Sequence, residues 1–406
     1  MRAIQGNKIG SKEENMSEIK TSEEKKDDVF ITDLTIHKVR HLKDIHIPLS
    51  KDERKHLILT GKNGSGKTSV LESLKDSIMV TFGSGVLITG KEGFERDLRA
   101  LDLVTLVLNS STQIEDFHDA GQIIVAFYAA KRLTNMKIPK GLERLKLKTF
   151  YTIEEQPSRD FIQYIVNLKA EKSFARDEND NAAVKNIEEW FETLENTLKE
   201  IFEDPSLRLE FDRKNYNFNI IQEDKEPFDF NTLADGYSAI INIVTDLILR
   251  MENNKTIGFD VQGVVLIDEL ETHLHIDLQK KIFPFLTRFF PKIQFIVTTH
   301  SPFILNSIEN AIIYDLEKHL LVSDLSGYSY EGIVEGYFEN DKYSQEIKEK
   351  IETYEHLVQK KKRTEKEHEE MMELRMYLKE IPGSLAPELK VRFQQIELNR
   401  VGKTNG

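Results

Sequence analysis

The apolar positions of this chain change period along its length, and each change marks an element. Residues 1 to about 28 are rich in Lys, Glu, Ser and Asn and nearly lack large apolar side chains, so they read as a disordered, solvated tail with Met16 as an alternative start. From Val29 the pattern alternates through Phe30, Leu34, Ile36 and Val39, then Ile45 and Ile47, which predicts two strands joined by a turn. Leu57-Ile58-Leu59 is a short apolar run of the buried-strand kind, and Val70, Leu71 and Leu74 then recur at helical spacing. Val264 to Ile267 and Gln294 to Thr299 read as further buried parallel strands, and Ala311-Ile312-Ile313-Tyr314 closes the same sheet.

The span from Thr81 to Asn231 is too long for a bare loop and predicts an inserted lobe. Its pieces are mixed: a strand-like Ile123 to Tyr128, a helix through Ile187, Trp190, Phe191, Leu194 and Leu198, and alternation through Leu207, Leu209, Phe211, Tyr216, Phe218 and Ile220. Near the C-terminus, Ile347, Ile351, Tyr354 and Val358 form a helical stripe. Lys360 to Glu370 interrupts it, and Met371, Leu374 and Leu378 resume it before Pro382 and Gly383. The stripe either packs on the protein's own core or docks a partner through a helical hairpin. The expected division is therefore a tail (1–28), the first part of an α/β domain (29–81), an inserted α+β lobe (82–231), the second part of the α/β domain (232–325) and a helical region (326–406).

Composition narrows the chemistry. At 406 residues, 39% hydrophobic and 31% charged, the chain can bury a substantial core. No stretch approaches the roughly 18 uninterrupted apolar residues of a membrane helix, and the N-terminal segment lacks a secretory apolar run, so a cytoplasmic protein without membrane contact is expected. Cysteine is absent, which removes disulfides, thiolate metal sites and thiol nucleophiles. A net charge of −13 confines any nucleic-acid contact to a local patch and argues against a dedicated sequence-specific DNA reader.

Candidate chemistry sits at the ends of the apolar runs. Gly61 follows the first run, and after four residues comes Gly66-Lys67-Thr68, opening the helix of Val70. Strand, glycine loop and helix together make a phosphate cradle, because unobstructed backbone N–H groups curl around the anion and the helix presents its positive end. Asn63, Gly64, Ser65 and Ser69 complete it, Lys67 reaches the β and γ phosphates, and Thr68 offers a hydroxyl to Mg²⁺. The bland alternative is a chance glycine turn before a helix.

Asp268 and Glu269 end the run from Val264, where open α/β sheets bind ligands. Asp268 suits Mg²⁺, and Glu269 suits orienting and deprotonating a water. By itself this could equally be a buried strand ending in a solvated acidic turn. His300 follows the run from Gln294 and can sense a γ phosphate, although a lone histidine is more often structural.

Leu233 to Ser238, holding Asp235 and Gly236, is a second glycine turn that opens a helix with Ile240, Ile241, Val244, Leu247 and Ile248 on one face. In this order the motifs resemble ABC/SMC-type P-loop ATPase heads, related to the OLD and RecF ATPases. The resemblance covers roughly residues 30–80 and 230–320. It implies a mixed central sheet flanked by helices, ATP and Mg²⁺ as ligands, and a homodimer or higher homo-oligomer. In such a dimer the segment at Asp235 and Gly236 caps the γ phosphate held by the opposite subunit. Ala234 stands where the family has a serine that touches that phosphate, with Ser238 nearby, which weakens this contact. Leu274-His275 resembles the family's D-loop, a reading preferred over a metal site at His273 and His275. The family's glutamine has two candidates, Gln113 and Gln122.

Sustained heptads are missing, so the long arms of chromosome-organising relatives are not expected. Lys131, Arg132, Lys137, Lys140, Arg144, Lys146 and Lys148 face the single acid Glu143, which makes either a nucleic-acid clasp or a solvated basic edge. The Toprim nuclease of OLD proteins needs a downstream Asp-x-Asp, and no aspartate follows Asp341. An ATPase without its own nuclease site is expected. These features resemble the PtuA-type ATPase subunits of Septu and retron-linked antiphage defence, which implies an HNH nuclease (PtuB-like) as partner, docked on the helical C-terminal region. The remaining alternatives are a RecF-like DNA-repair ATPase and a nucleotide-sensing scaffold with slow hydrolysis.

Overall fold

The computed structural model describes residues 28–82, 102–109, 120–252, 261–337, 344–360, 362–382 and 386–402. The expected tail, but for Asp28, and Gln113 lie outside them. The chain divides into two compact units, Met1–Ser326 and Gly327–Gly406.

In the first unit, β1 (Ile31–Val39) and β2 (Leu42–Pro48) form a hairpin, β3 (His56–Thr60) leads into α1 (Lys67–Thr81), and β4 (Val104–Leu108) and β5 (Ile123–Tyr128) follow. The helices α2 (Phe161–Asp177) and α3 (Asn181–Phe202) precede a short meander of β6 (Arg208–Asp212), β7 (Asn217–Ile221) and β8 (Phe228–Asp229). Then come α4 (Asp235–Met251), β9 (Gln262–Ile267), α5 (Ile276–Phe289), β10 (Ile293–Thr298), β11 (Ala311–Asp315) and β12 (Leu320–Val322).

The central sheet runs β12-β11-β3-β10-β9-β5, with every pairing parallel except the terminal β11–β12. This is the expected mixed α/β sheet flanked by helices. Its inner strands are largely apolar because both faces are covered: β3, β9 and β10 are buried at every position. A second sheet, β2-β1-β4, alternates buried and exposed residues as an antiparallel sheet with one wet face should. Two buried glutamines tie the sheets together, Gln262 Oε1 accepting from Val29 N at 2.8 Å and Gln294 Oε1 from Ile31 N at 2.7 Å.

The structure corrects the inserted lobe. The strand at Ile123–Tyr128 is not part of a separate body: β5 is the edge of the central sheet, paired from Ile123↔Gln262 to Tyr128↔Ile267. β4 likewise belongs to the N-terminal sheet. A run of apolar residues fits any buried strand, and nothing in it names the partner. The helix through Trp190 and the alternating stretch do pack together, with Phe191 stacked on Phe218.

The second unit holds α6 (Gln345–Gln359), α7 (Glu365–Glu380) and α8 (Pro387–Gly402). Ile351, Tyr354, Val358, Met371 and Leu378 are buried with Leu389, Phe393 and Ile396 of α8. The apolar stripe is therefore used up by packing within this unit, and its core is not the free docking face of a hairpin. The third helix completes it. Thr364 and Glu367 start α7 with a capping box.

Candidate functional site

Parallel pairing places the carboxyl ends of β3, β9 and β10 on one edge of the sheet, where open α/β sheets bind ligands. Each strand ends in a polar turn at that edge, and the three turns converge.

The first is the glycine loop. Gly61, Gly64 and Gly66 all hold positive φ, a backbone shape that other residues adopt only with strain. A Cβ at Gly66 would also come within 3.0 Å of Leu42 Cδ1. Asn63 and Gly64 lie on the turn, and Lys67, Thr68 and Ser69 begin α1, so its N-terminal N–H groups open onto the loop. Lys67 Nζ folds back to donate to Gly61 O at 2.7 Å and Lys62 O at 3.1 Å. Burial lowers its pKa, and the charges of Glu269, Glu271, Asp268 and Asp315 push the other way. The buried Ser65 hydroxyl has no hydrogen-bond partner among the described residues.

The second turn follows β9. Asp268 is 4% exposed, and its Oδ1 accepts from Thr298 Oγ1 at 2.6 Å and from Thr68 Oγ1 at 3.3 Å. Thr298 Oγ1 in turn accepts from Glu269 N at 2.7 Å. Glu269 takes a left-handed φ of 45° and keeps its carboxylate on Thr272 Oγ1 at 3.0 Å. The third turn brings His300, whose backbone N–H donates to Glu271 Oε1.

Three residues outside the sequence-derived set are thus built into the site. Thr298 bridges two strands, Glu271 holds the His300 turn, and Arg132 supports Glu269 from behind. A polar residue ending an apolar run was the available signal for Thr298. Glu271 and Arg132 had none, because their neighbours come from distant segments.

Asp235 and Gly236 open α4, and their contacts run to the turn after Glu269. A Cβ at Gly236 would lie 2.8 Å from His273 O, so only glycine permits this approach. Ser238 cannot replace the serine missing at Ala234: it is buried, and its hydroxyl accepts from Thr134 N at 2.7 Å. His275 occupies the N-cap position of α5 without a side-chain capping hydrogen bond. Among the described residues no group of three or more His, Asp or Glu is placed to hold a metal. Gln122 precedes β5 at the opposite end of the strands, roughly 23 Å of strand from the level of Asp268 at about 3.3 Å per residue, and cannot serve the carboxylates.

One cation of the basic stretch lies inside the protein. Arg132 is 6% exposed and donates to the carbonyls of Asp268, Glu269 and Leu270. Burial lowers its pKa only to about 10, with Glu271, Asp268 and Glu269 opposing, so it is a cation at neutral pH. Lys137 pairs with Asp160 and Lys148 with Glu155. Local folding occupies these three, leaving Lys131, Lys140, Arg144 and Lys146.

These residues fit a magnesium nucleotide. The glycine cradle and the partnerless Ser65 hydroxyl suit phosphate oxygens. Thr68 and Asp268 form the sparse oxygen set that Mg²⁺ accepts when phosphates supply the rest.

Residues 57–306 match the family described as "AAA domain, putative AbiEii toxin, Type IV TA system". The chain belongs to this family of P-loop ATPases. Similar relatives include the Septu protein PtuA of Bacillus mycoides (strain KBAB4), 26% identical over 76% of this chain and 44% of its own length. The retron Ec83 probable ATPase of Escherichia coli is 31% identical over 35% of this chain and 27% of its own. The Septu protein PtuA of Bacillus thuringiensis is 25% identical over 60% and 66%. The chain thus spans less than half of the first relative and about a quarter of the second. Among solved structures, the SMC head domain from Thermotoga maritima aligns with 70% of this chain and 94% of its own at 13% identity and a TM-score of 0.35. The expected P-loop ATPase with Septu PtuA-like and retron-ATPase relatives is borne out by these matches. Among the described residues no helix is long and apolar enough to cross a membrane.

Proposed function

We propose that this AAA-family chain binds and hydrolyses ATP as a subunit of an antiphage defence system. The observation that carries the reading is the convergence of Lys67, Thr68, Asp268 and Glu269 at one sheet edge, with Thr298 locking the two strand ends together. The glycine loop and Lys67 bind the triphosphate, and Glu269 aligns a water with the γ phosphorus. The water's oxygen bonds to phosphorus, the bond to the bridging oxygen breaks, and the water's proton passes to Glu269, leaving ADP and inorganic phosphate. Thr68 and Asp268 would hold Mg²⁺, which would supply charge neutralisation for the phosphate oxygens. His300 stands ready to register the γ phosphate from the β10 side.

The approach of Gly236 to His273 joins the helix of the signature segment to the turn beyond Glu269, which supports a homodimer whose closure reaches the hydrolytic turn. In the defence reading, nucleotide-dependent assembly controls a separate HNH nuclease (PtuB-like), a partner implied by the resemblance to PtuA-type subunits; the names of the relatives support the defence ATPase itself. Because the stripe of the helical unit is buried, this partner would dock on exposed side chains such as Met376, Val391 and Leu398. A DNA-tracking, RecF-like role is the weaker reading, since Arg132, Lys137 and Lys148 are engaged within the protein. The test is Lys67→Ala: loss of ATP retention and turnover supports the proposal, and parental binding and turnover would end it.

A further inference from the structure

The turn after β9 is tied to β10 through Thr298, and one further side chain gathers its carbonyls. β5 pairs with β9 as far as Tyr128↔Ile267, and Asp268 N donates to Tyr128 O at 2.8 Å. Beyond that point the strand pairing stops. The next three carbonyls, of Asp268, Glu269 and Leu270, all face the Arg132 guanidinium, at 2.8, 3.1 and 3.0 Å. Arg132 lies a few residues past the end of β5 and also donates to Ala129 O at 3.1 Å, which anchors the fork on its own segment.

Glu269 is not glycine, yet it holds a φ of 45°. That conformation is strained for any residue with a Cβ and persists only where the surroundings overdetermine it. Three carbonyls converging at the interior would also repel one another without a buried donor. A planar fork with several N–H groups meets both demands, and a lysine ammonium cannot span the same oxygens.

We propose that Arg132 is a positioning residue for ATP hydrolysis, a clamp that fixes the Asp268–Leu270 backbone so that the Glu269 carboxylate is aimed at the reacting water. The proposal rests on the ATPase reading above. All its hydrogen bonds run to backbone oxygens, so it acts through Glu269 and not on the nucleotide.

The experiment compares wild type, Arg132→Lys, Arg132→Met and Lys67→Ala as full chains, by steady-state ATP turnover, melting temperature and amide hydrogen exchange without nucleotide. A misplaced catalytic group costs on the order of 10²-fold in rate, so kcat of the Lys variant is expected to fall about 10- to 100-fold while KM for ATP stays within about threefold. Amide exchange across residues 268–272 should rise about tenfold in the Lys variant, with the melting temperature close to wild type. A Lys variant with wild-type kcat overturns the clamp. So does a loss confined to melting temperature and active fraction, with exchange at 268–272 unchanged relative to the rest of the chain. If wild type shows no turnover and Lys67→Ala binds ATP normally, the ATPase reading fails by itself. The exchange data then judge the clamp alone, and unchanged protection at 268–272 rejects it.

Discussion

The unit that ends at Ser326 and the helical unit that follows it treat buried polarity in opposite ways. In the first, Lys67, Asp268 and Arg132 are buried at one sheet edge, and the hydroxyls of Thr60 and Ser65 are buried without a protein partner. In the three-helix core of the second, no buried side-chain polar atom among the described residues lacks a partner. Its charged cluster is fully answered: Glu397 accepts from Arg375 and Arg400 at 2.8 Å each and from Tyr354. Folded proteins rarely leave buried polar groups unmet, and where they do, the reason is commonly chemical. The contrast therefore separates a region arranged for a ligand from one arranged to hold its own shape.

The sharpest way to break this contrast is Glu269→Gln. Turnover is expected to fall by roughly 10²–10⁴, with ATP still bound, because the amide keeps the shape and loses the base. A variant that hydrolyses at the parental rate would remove Glu269 from its role.

Acid should then dissolve the two units in different windows. Burial, helped by Arg54 and Lys55, lowers His56 from 6.5 to about 3, and its Nδ1 accepts from Phe295 N at 3.1 Å. The folded unit needs His56 neutral, so its contribution is complete above pH 6.5 and is lost at roughly 1.4 kcal/mol per pH unit as pH falls toward 3. Burial pushes Glu397 up, but hydrogen bonds from Arg375, Arg400 and Tyr354 prevail and hold it at about 2, below its ordinary 4.5. That contribution is complete above pH 4.5 and fades between 4.5 and 2. Hydrogen exchange at pH 5 should find β3 and β10 weakened while α6 to α8 stay protected. Equal loss of both at pH 5 would erase the distinction.

Gly66→Ala should follow in size. A left-handed φ of 99° and the nearby Leu42 methyl strain any Cβ, so ATP affinity is expected to drop about tenfold for a strain near 1.4 kcal/mol, read by calorimetry. The smallest effect belongs to the combined reversal of Lys140, Arg144 and Lys146 to Glu. All three are largely solvent-facing, and the free energy of unfolding should move by no more than about 0.5 kcal/mol per site, as is typical of surface positions. Nucleic-acid or partner binding that survives the reversal would dismiss the patch as an interface.

Much of the α/β unit was legible because its signals are local. Gly61 to Thr68 can be read as a loop between strand and helix since glycine spacing, the apolar run and the helical period all fall within twenty residues. Asp268 and His300 were readable as strand ends for the same reason. The partner of Ile123–Tyr128 was not, because its apolar run is equally suited to a lobe of its own. Arg132 was read as one cation among seven, yet it is buried under the Asp268 turn. Its nearest signal in sequence was charge, and charge density describes a surface only when the side chains reach it.

The sequence alone determined most of the strands, though not β4 or β12, together with where the phosphate loop lies and which acids end the strand at Ile267. Those properties follow from period and backbone chemistry acting over one element. Tertiary structure decided the strand order that brings three turns together, the use of Arg132 and Thr298 as ties, and the burial of the C-terminal stripe beneath a third helix. These are pairings between residues as much as 263 positions apart, as at Ile31 and Gln294. No local pattern encodes them, because a hydrogen-bond donor or an apolar face specifies what it needs and not which distant segment provides it.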